Sequence, residues 1–213
     1  MDKFKITNED THKHIFFNLQ NKSNDKIEDL VNIQTILEET PPFITHVDTT
    51  EYTAVKDYID RLVNNSEFLC RNINSGYILQ SFLESDAVIV IGSENILPNG
   101  NIFGFALINF NPTHIYIDVI CSHVGISGSG DILMNNIKNI CQPLSMTKIK
   151  LQSVNSAIGF YAKYGFVKTE SLCTNMCEMV YTVTTGGKRK MKRRKTKRRQ
   201  TKRRKTKRRM RRA

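Results

Sequence analysis

This sequence has no long apolar run. Its longest strongly apolar stretch, Ala87 to Ile91, covers five residues, whereas a bilayer-spanning helix needs about 20. The opening Met-Asp-Lys-Phe-Lys-Ile-Thr lacks the apolar core of a signal peptide. A soluble protein is expected, with no membrane span and no secretion. A disulfide framework is also missing. Cys70, Cys121, Cys141, Cys173 and Cys177 are an odd number at irregular spacing. Cys173 and Cys177 lie four apart with no second pair to complete a zinc site. The expectation is five reduced thiols in a cytosolic or nuclear setting, and no metal.

Basic charge is concentrated in one region, which carries no acid to balance it. From Lys188 onward there are 19 Lys or Arg and no Asp or Glu. The other 13 of the 32 basic residues face all 20 acidic ones, so the rest of the chain stands at −7. The overall net charge of +12 therefore describes the tail. This excludes a folded body that binds nucleic acid by its own basicity. Two parts are expected: a domain over 1–185 and a disordered basic tail over 186–213.

Up to about residue 85 the pattern is sparse. Ile27, Leu30, Val31 and Leu37 form a helical stripe that Pro41 and Pro42 end. Asp48 with Glu51 resembles an N-cap, and Tyr52, Val55, Ile59, Leu62 and Val63 continue at helical spacing. Strand-like pieces lie at Phe4 to Ile6 and Phe43 to Val47. His12 and His14 read as solvent-exposed.

From residue 87 the pattern is clearer. Ala87 to Ile91 and Ile102 to Phe110 flank Pro98 and Asn99-Gly100, which predicts a hairpin. Ile115 to Cys121 is a third strand, with Ile115, Ile117, Val119 and Cys121 on one face. A glycine-rich turn leads into a helix carrying Ile132, Leu133, Ile137 and Ile140. Lys148 to Val154 is a strand, Ser156 to Tyr164 a short helix ended by Gly165. Phe166 to Lys168 and Met179 to Val183 close the domain. The fold class is α/β (α+β), a mixed, mostly antiparallel sheet flanked by helices.

Chemistry concentrates in two places. The first is Ile115-Tyr-Ile-Asp-Val-Ile-Cys-Ser-His-Val-Gly125-Ile-Ser-Gly128-Ser-Gly130-Asp. Glycines let the backbone turn tightly and approach a ligand. The first helical N–H groups have no partners within the helix, and with the helix dipole they favour an anion such as a pyrophosphate. The same glycines also suit a plain strand-to-helix turn. No Gly-Lys-Ser/Thr is present, so this is not a P-loop, and no parallel βαβ unit precedes it as in a Rossmann fingerprint. The second is Asn155-Ser-Ala-Ile-Gly-Phe-Tyr161-Ala-Lys-Tyr-Gly-Phe166, directly after a strand.

Together these segments resemble the GCN5-related N-acetyltransferase (GNAT) superfamily, over roughly residues 85 to 183. The resemblance implies a GNAT-like acyl-CoA acyltransferase fold. It implies acetyl transfer from acetyl-CoA to an amine: a polyamine, a small amine, or a protein lysine or N-terminus. The turn, with Gly125, Ser127, Gly128, Ser129 and Gly130, matches the pyrophosphate loop. Val119, Ile120 and Cys121 match the strand whose backbone pairs with the pantetheine arm, and Asn155 a position that contacts that arm. Tyr161 matches the tyrosine that protonates the leaving thiolate. A phenol with an ordinary pKa near 10 holds its proton at neutral pH. A packed aromatic is the plainer role for Tyr161, and an N-cap the plainer one for Asn155. Gly125 stands where the family often has Arg or Gln. Asp131, in the first helical turn, is expected to face solvent. Asp118 is the natural general base, or a merely solvated carboxylate; Glu84, Asp86 and Glu94 are weaker candidates. A Cys121–His123 nucleophilic dyad is not expected.

The tail repeats Lys-Thr-Lys-Arg-Arg or Gln-Thr-Lys-Arg-Arg after Lys188-Arg-Lys-Met. Its charge implies nucleic-acid binding over 188–212, or nuclear or nucleolar targeting. Such tails resemble those of some large-DNA-virus proteins. A second function class therefore stands beside the enzyme: a degenerate GNAT fold that binds nucleic acid or sits in a virion.

Overall fold

The computed structural model of the chain describes residues 4–40, 43–64, 73–93 and 100–183. The tail, Cys70, Pro98 and Glu94 lie outside them. Among the described residues there are ten strands: β1 (Phe4–Lys5), β2 (His12–Phe17), β3 (Phe43–His46), β4 (Ala87–Gly92), β5 (Ile102–Asn111), β6 (His114–Ser122), β7 (Ile126–Ser127), β8 (Lys148–Val154), β9 (Val167–Lys168) and β10 (Met176–Thr182). The helices are α1 (Asn24–Glu38), α2 (Thr49–Asn64), α3 (Ser75–Glu84), α4 (Ser129–Cys141) and α5 (Ile158–Ala162). Eight strands form one sheet in the order β3-β2-β4-β5-β6-β8-β10-β9. Only β2–β3 and β6–β8 run parallel within it. The expected mixed, mostly antiparallel sheet is what the chain builds.

Local chemistry explains the helix starts. Ser23 accepts from Lys26 N, Asp48 from Thr50 N, and Asn74 from Gly76 N. Each satisfies an N–H that the helix itself leaves unpaired. Leu30 and Leu37 of α1 join the α4 residues Leu133 and Ile137 in one core, on one face of the sheet. Tyr52, Val55 and Ile59 of α2 join Ile78 and Phe82 of α3 in a second core on the other face. Each such fully buried side chain contributes about 1.5–3 kcal/mol by leaving water. Asp86 is buried too, between Lys22 (3.1 Å) and Lys26 (2.6 Å), and it accepts from Phe110 N. It is a structural ion pair, not a base.

Three expectations are corrected. First, Ile115, Ile117, Val119 and Cys121 do not share a face. Leu107 pairs with Val119 but Ile108 with Ile117, so Asp118 is an extra residue in β6. This bulge flips the strand. Ile115 and Ile117 point into the first core, Val119 and Cys121 into the second. Second, the cysteines are not all reduced. Cys173 and Cys177 form a disulfide, because the start of β10 brings their Cα atoms to 5.2 Å. Cys121 is also disulfide-bonded, while Cys141 is a buried free thiol that burial pushes up to about 12.

Third, His14 is buried, although His12 is exposed. Its Nδ1 lies 3.0 Å from His46 Nε2, and His46 Nδ1 lies 3.1 Å from Glu51 Oε2. An ionised Glu51 only accepts, so His46 donates to it from Nδ1 and accepts at Nε2. His14 then donates from Nδ1, and its buried Nε2 is a bare acceptor with no partner. Protonating that nitrogen would strand a buried donor. Burial first, then His46 and His12, lowers the His14 pKa from 6.5 to about 4. The unfolded chain takes up this proton sooner as pH falls. The stabilisation is complete above about pH 6.5 and is lost on the way down to about 4. The melting temperature should drop between pH 7 and 4.5, and by visibly less in His14→Phe. Equal drops in both proteins would remove His14 from this account.

Candidate active site

β6 and β8 pair only from His114↔Lys148 to Ile117↔Leu151. Both strands continue, β6 to Ser122 and β8 to Val154, without pairing further to each other. They part at the Asp118 bulge. Val119, Ile120 and Cys121, the three residues expected to meet the pantetheine arm, lie beyond the last β6–β8 pair, with Val119 and Cys121 buried. At its far end lies the glycine turn, and α4 starts from it. Gly128 is the N-cap with φ 96°, and no side chain caps the helix. That left-handed conformation favours glycine, and a Cβ there would sit 3.0 Å from Ile6 O.

His123 shapes the turn. Gly125 N donates to its Nδ1 (3.0 Å), and Ile126 N to its carbonyl (3.3 Å). With Cys121 held in a disulfide, the pair is no nucleophilic dyad. Ser127 donates from its hydroxyl to Phe4 O, while Ser129 is buried and its hydroxyl has no partner. The N-terminal strand β1 runs parallel to β7 along the turn, with Phe4 opposite Ile126. It takes up the carbonyls of Gly125 and Ser127. Nothing in the sequence pattern of residues 4–6 signalled that pairing.

The second motif meets the first. A Cβ on Gly130 would lie 3.2 Å from Phe160 Cζ, so the ring of Phe160 rests on the start of α4. Tyr164 donates from its hydroxyl to Asp131, which turns that carboxylate toward α5. Lys138 Nζ, also on α4, reaches Tyr164 O (3.1 Å). Tyr161 follows Phe160, with ring centroids 5.2 Å apart, and is largely buried. Burial pushes its pKa up to about 12. Asn155 is exposed at the end of β8 and caps no helix. Its Nδ2 donates to Thr174 O (3.0 Å) beside the Cys173–Cys177 loop, which leaves one amide hydrogen for a ligand.

Asp118 lies at the mouth of the gap and accepts from Tyr77 Oη at 2.6 Å. Among the described residues no Lys or Arg pairs with it. Glu84 is exposed and accepts from Gln80. Tyr77 and the neighbouring Tyr116 were missed in the sequence. The helix carrying Tyr77 has only Ile78 and Phe82 as a buried apolar pair, too short a stripe to read.

Residues 76–177 match a family model described as Acetyltransferase (GNAT) domain. No curated protein sequence matches the chain. Among solved structures, a proposed N-acetyltransferase from Lactobacillus plantarum is similar at TM-score 0.50 and 13% identity, covering 64% of this chain and 93% of that one. Ard1 from Thermoplasma volcanium is similar at TM-score 0.43 and 18% identity, covering 81% and 98%. A GNAT family acetyltransferase from Elizabethkingia anophelis, solved with acetyl-CoA bound, is similar at TM-score 0.41 and 17% identity, covering 49% and 81%. The match spans 102 of the 213 residues and takes in the glycine turn, Asp118 and Tyr161. The chain is thus an acyltransferase with the fold of that class, and its cosubstrate is acetyl-CoA. Among the described residues, no helix is long and apolar enough to cross a membrane.

The glycine turn gives one direct check. Gly130→Val should drive a branched side chain into Phe160 and crowd the amides at the start of α4. Loss of acetyl-CoA binding, by calorimetry, is expected with the domain still folded. Gly128→Val should cost stability as well, since valine resists φ 96°. If Gly130→Val binds as tightly as the parent, the turn does not hold the pyrophosphate.

Proposed function

We propose that this domain transfers the acetyl group of acetyl-CoA to an amine, with Asp118 as general base and Tyr161 as hydrogen donor to the leaving sulfur. The observation that carries this is the parting of β6 and β8 after Ile117↔Leu151, with the glycine turn at the end of β6 and α5 resting on α4. The residues present suit the cosubstrate: unpaired strand backbone for an amide-bearing arm, an uncapped helix start for phosphates, and Asp131 held toward α5. Val119, Ile120 and Cys121 would pair with the arm, with Asn155 beside it. The amides of Gly125, Ser127, Gly128, Ser129 and Gly130 would line the pyrophosphate. When bound, acetyl-CoA supplies an activated thioester carbonyl.

Asp118 then takes a proton from the acceptor ammonium, which frees the nitrogen lone pair. Tyr161 keeps its proton at neutral pH, since burial pushes its pKa up to about 12. An ordinary thiol ionises near 8.5. Full transfer from phenol to sulfur is therefore uphill. Tyr161 acts chiefly as a hydrogen-bond donor where negative charge builds up, as oxyanion-type donors do. The net-acidic body favours a cationic acceptor: a polyamine, a small alkylamine, or a protein lysine or N-terminus.

The basic tail over 188–212 adds nucleic-acid association. It favours a cytoplasmic or nuclear, including nucleolar, site of action. The disulfides withdraw the reduced-thiol argument for that compartment, so the tail alone carries it. Calorimetry with acetyl-CoA followed by an amine screen tests the whole reading. Binding and turnover are expected. Nucleic-acid binding with no acetyl-CoA binding would favour the degenerate fold.

A further inference from the structure

The helices α2 and α3 cover only part of their face of the sheet. Beyond them, β6, β8 and β10 present Tyr116, Asp118, Lys150 and Glu178 half-exposed. Lys150 is engaged with Glu178 (3.8 Å). Among the described residues, Asp118 is thus the carboxylate on this surface with no Lys or Arg paired to it. Its Oδ1 is held by Tyr77 Oη at 2.6 Å, reaching across from α3. Tyr116 lies on the same side, because its neighbours Ile115 and Ile117 point into the opposite core.

The geometry points to Tyr77 as the positioning residue that holds Asp118 for a primary alkylammonium acceptor, with Tyr116 as the aromatic wall beside it. This rests on the reading of Asp118 as the base. A bulge residue lacks a cross-strand partner to fix it. The Tyr77 hydroxyl supplies that restraint from outside the sheet and occupies Oδ1. It leaves Oδ2 for the ammonium. Phenol faces attract alkylammonium ions. Burial and then Asp118 raise the Tyr77 pKa to about 12, so its proton stays in the bond. Burial, Asp118 and Glu178 raise that of Tyr116 as well, which marks a negative local field. A neutral arylamine gains nothing from such a surface.

Tyr77→Phe removes only this bond, from a ring that is 49% exposed. With propylamine as acceptor, kcat/KM should fall about 10- to 100-fold. The acid limb of the pH profile should move to higher pH, because a carboxylate that loses a donated hydrogen bond protonates more easily. Acetyl-CoA affinity and melting temperature should stay put. Asp118→Asn supplies the second variant and keeps Tyr77 in place. In that background Tyr77→Phe should cost almost nothing more. Additive losses, or an unmoved kcat/KM and acid limb, would overturn the inference. Full turnover in Asp118→Asn would instead sink the base assignment beneath it. Propylamine should be preferred to aniline; the reverse order would overturn the ammonium assignment.

Discussion

Tyr161→Phe lowers turnover by about 10²- to 10⁴-fold and leaves acetyl-CoA affinity nearly unchanged. The substitution removes one hydroxyl and almost no volume. The ring keeps its contacts with Phe160 and Phe166, at centroid distances of 5.2 and 5.9 Å. A packing role predicts little effect on rate. A role at the reacting sulfur predicts a loss in kcat without a loss in ground-state binding. The size of the loss separates two versions of that role. A donor that only stabilises developing charge contributes about 10²- to 10³-fold. A full proton transfer reaches the upper end, about 10⁴-fold. Because burial pushes the Tyr161 pKa up to about 12, the smaller loss is expected. The tyrosine should also impose no basic limb on the rate profile below pH 10. A chemistry-limited assay with unchanged turnover would take Tyr161 out of the reaction.

The motif-bearing half of the chain was legible because its signals are local. Alternation within Ile102 to Phe110, the glycines at 125, 128 and 130, and Gly165 after a short helix each report on a few neighbouring residues. The strand-to-helix turn and the short helix before Gly165 follow from them, although that helix stops at Ala162 and Gly165 closes the turn after it. What was misread depends on partners distant in sequence. The bulge at Asp118 exists only in the register between β5 and β6. It reverses the faces of Val119 and Cys121, which alternation alone assigns wrongly. His14 reads as polar and exposed, until β3 and α2 bring His46 and Glu51 to cover it. The Cys173–Cys177 bond is the local exception: the two lie four residues apart, a spacing that the absence of a second pair did not turn into a disulfide. Tyr77 lies 41 residues from Asp118, and no pattern of spacing announces that pair.

Deleting Lys188 to Ala213 flattens the salt dependence of DNA binding and leaves small-amine turnover almost unchanged. The deleted segment carries 19 Lys or Arg, no acid, and no aromatic residue to stack on bases. Such a segment binds through phosphates with little sequence preference. Each phosphate neutralised on duplex DNA adds about −0.9 to the slope of log affinity against log salt. With about half of the basic residues engaged at once, the slope is on the order of −8. Between 50 and 200 mM salt that amounts to nearly 10⁵-fold in affinity, on the order reported for dense phosphate contacts. The truncated body carries the remaining 13 basic residues against 20 acidic ones, so DNA repels it. Chemistry on a free amine is spared, because the deleted residues follow β10, the last of the described strands, which ends at Thr182. A nucleic-acid-bound acceptor is a different case. There the tail raises local concentration, so its loss slows acetylation of the bound substrate alone. The deciding comparison is full-length against truncated protein, by salt titration on duplex DNA and by turnover of propylamine. If the truncated body keeps the full slope, nucleic acid is held by the folded domain and the tail has another use.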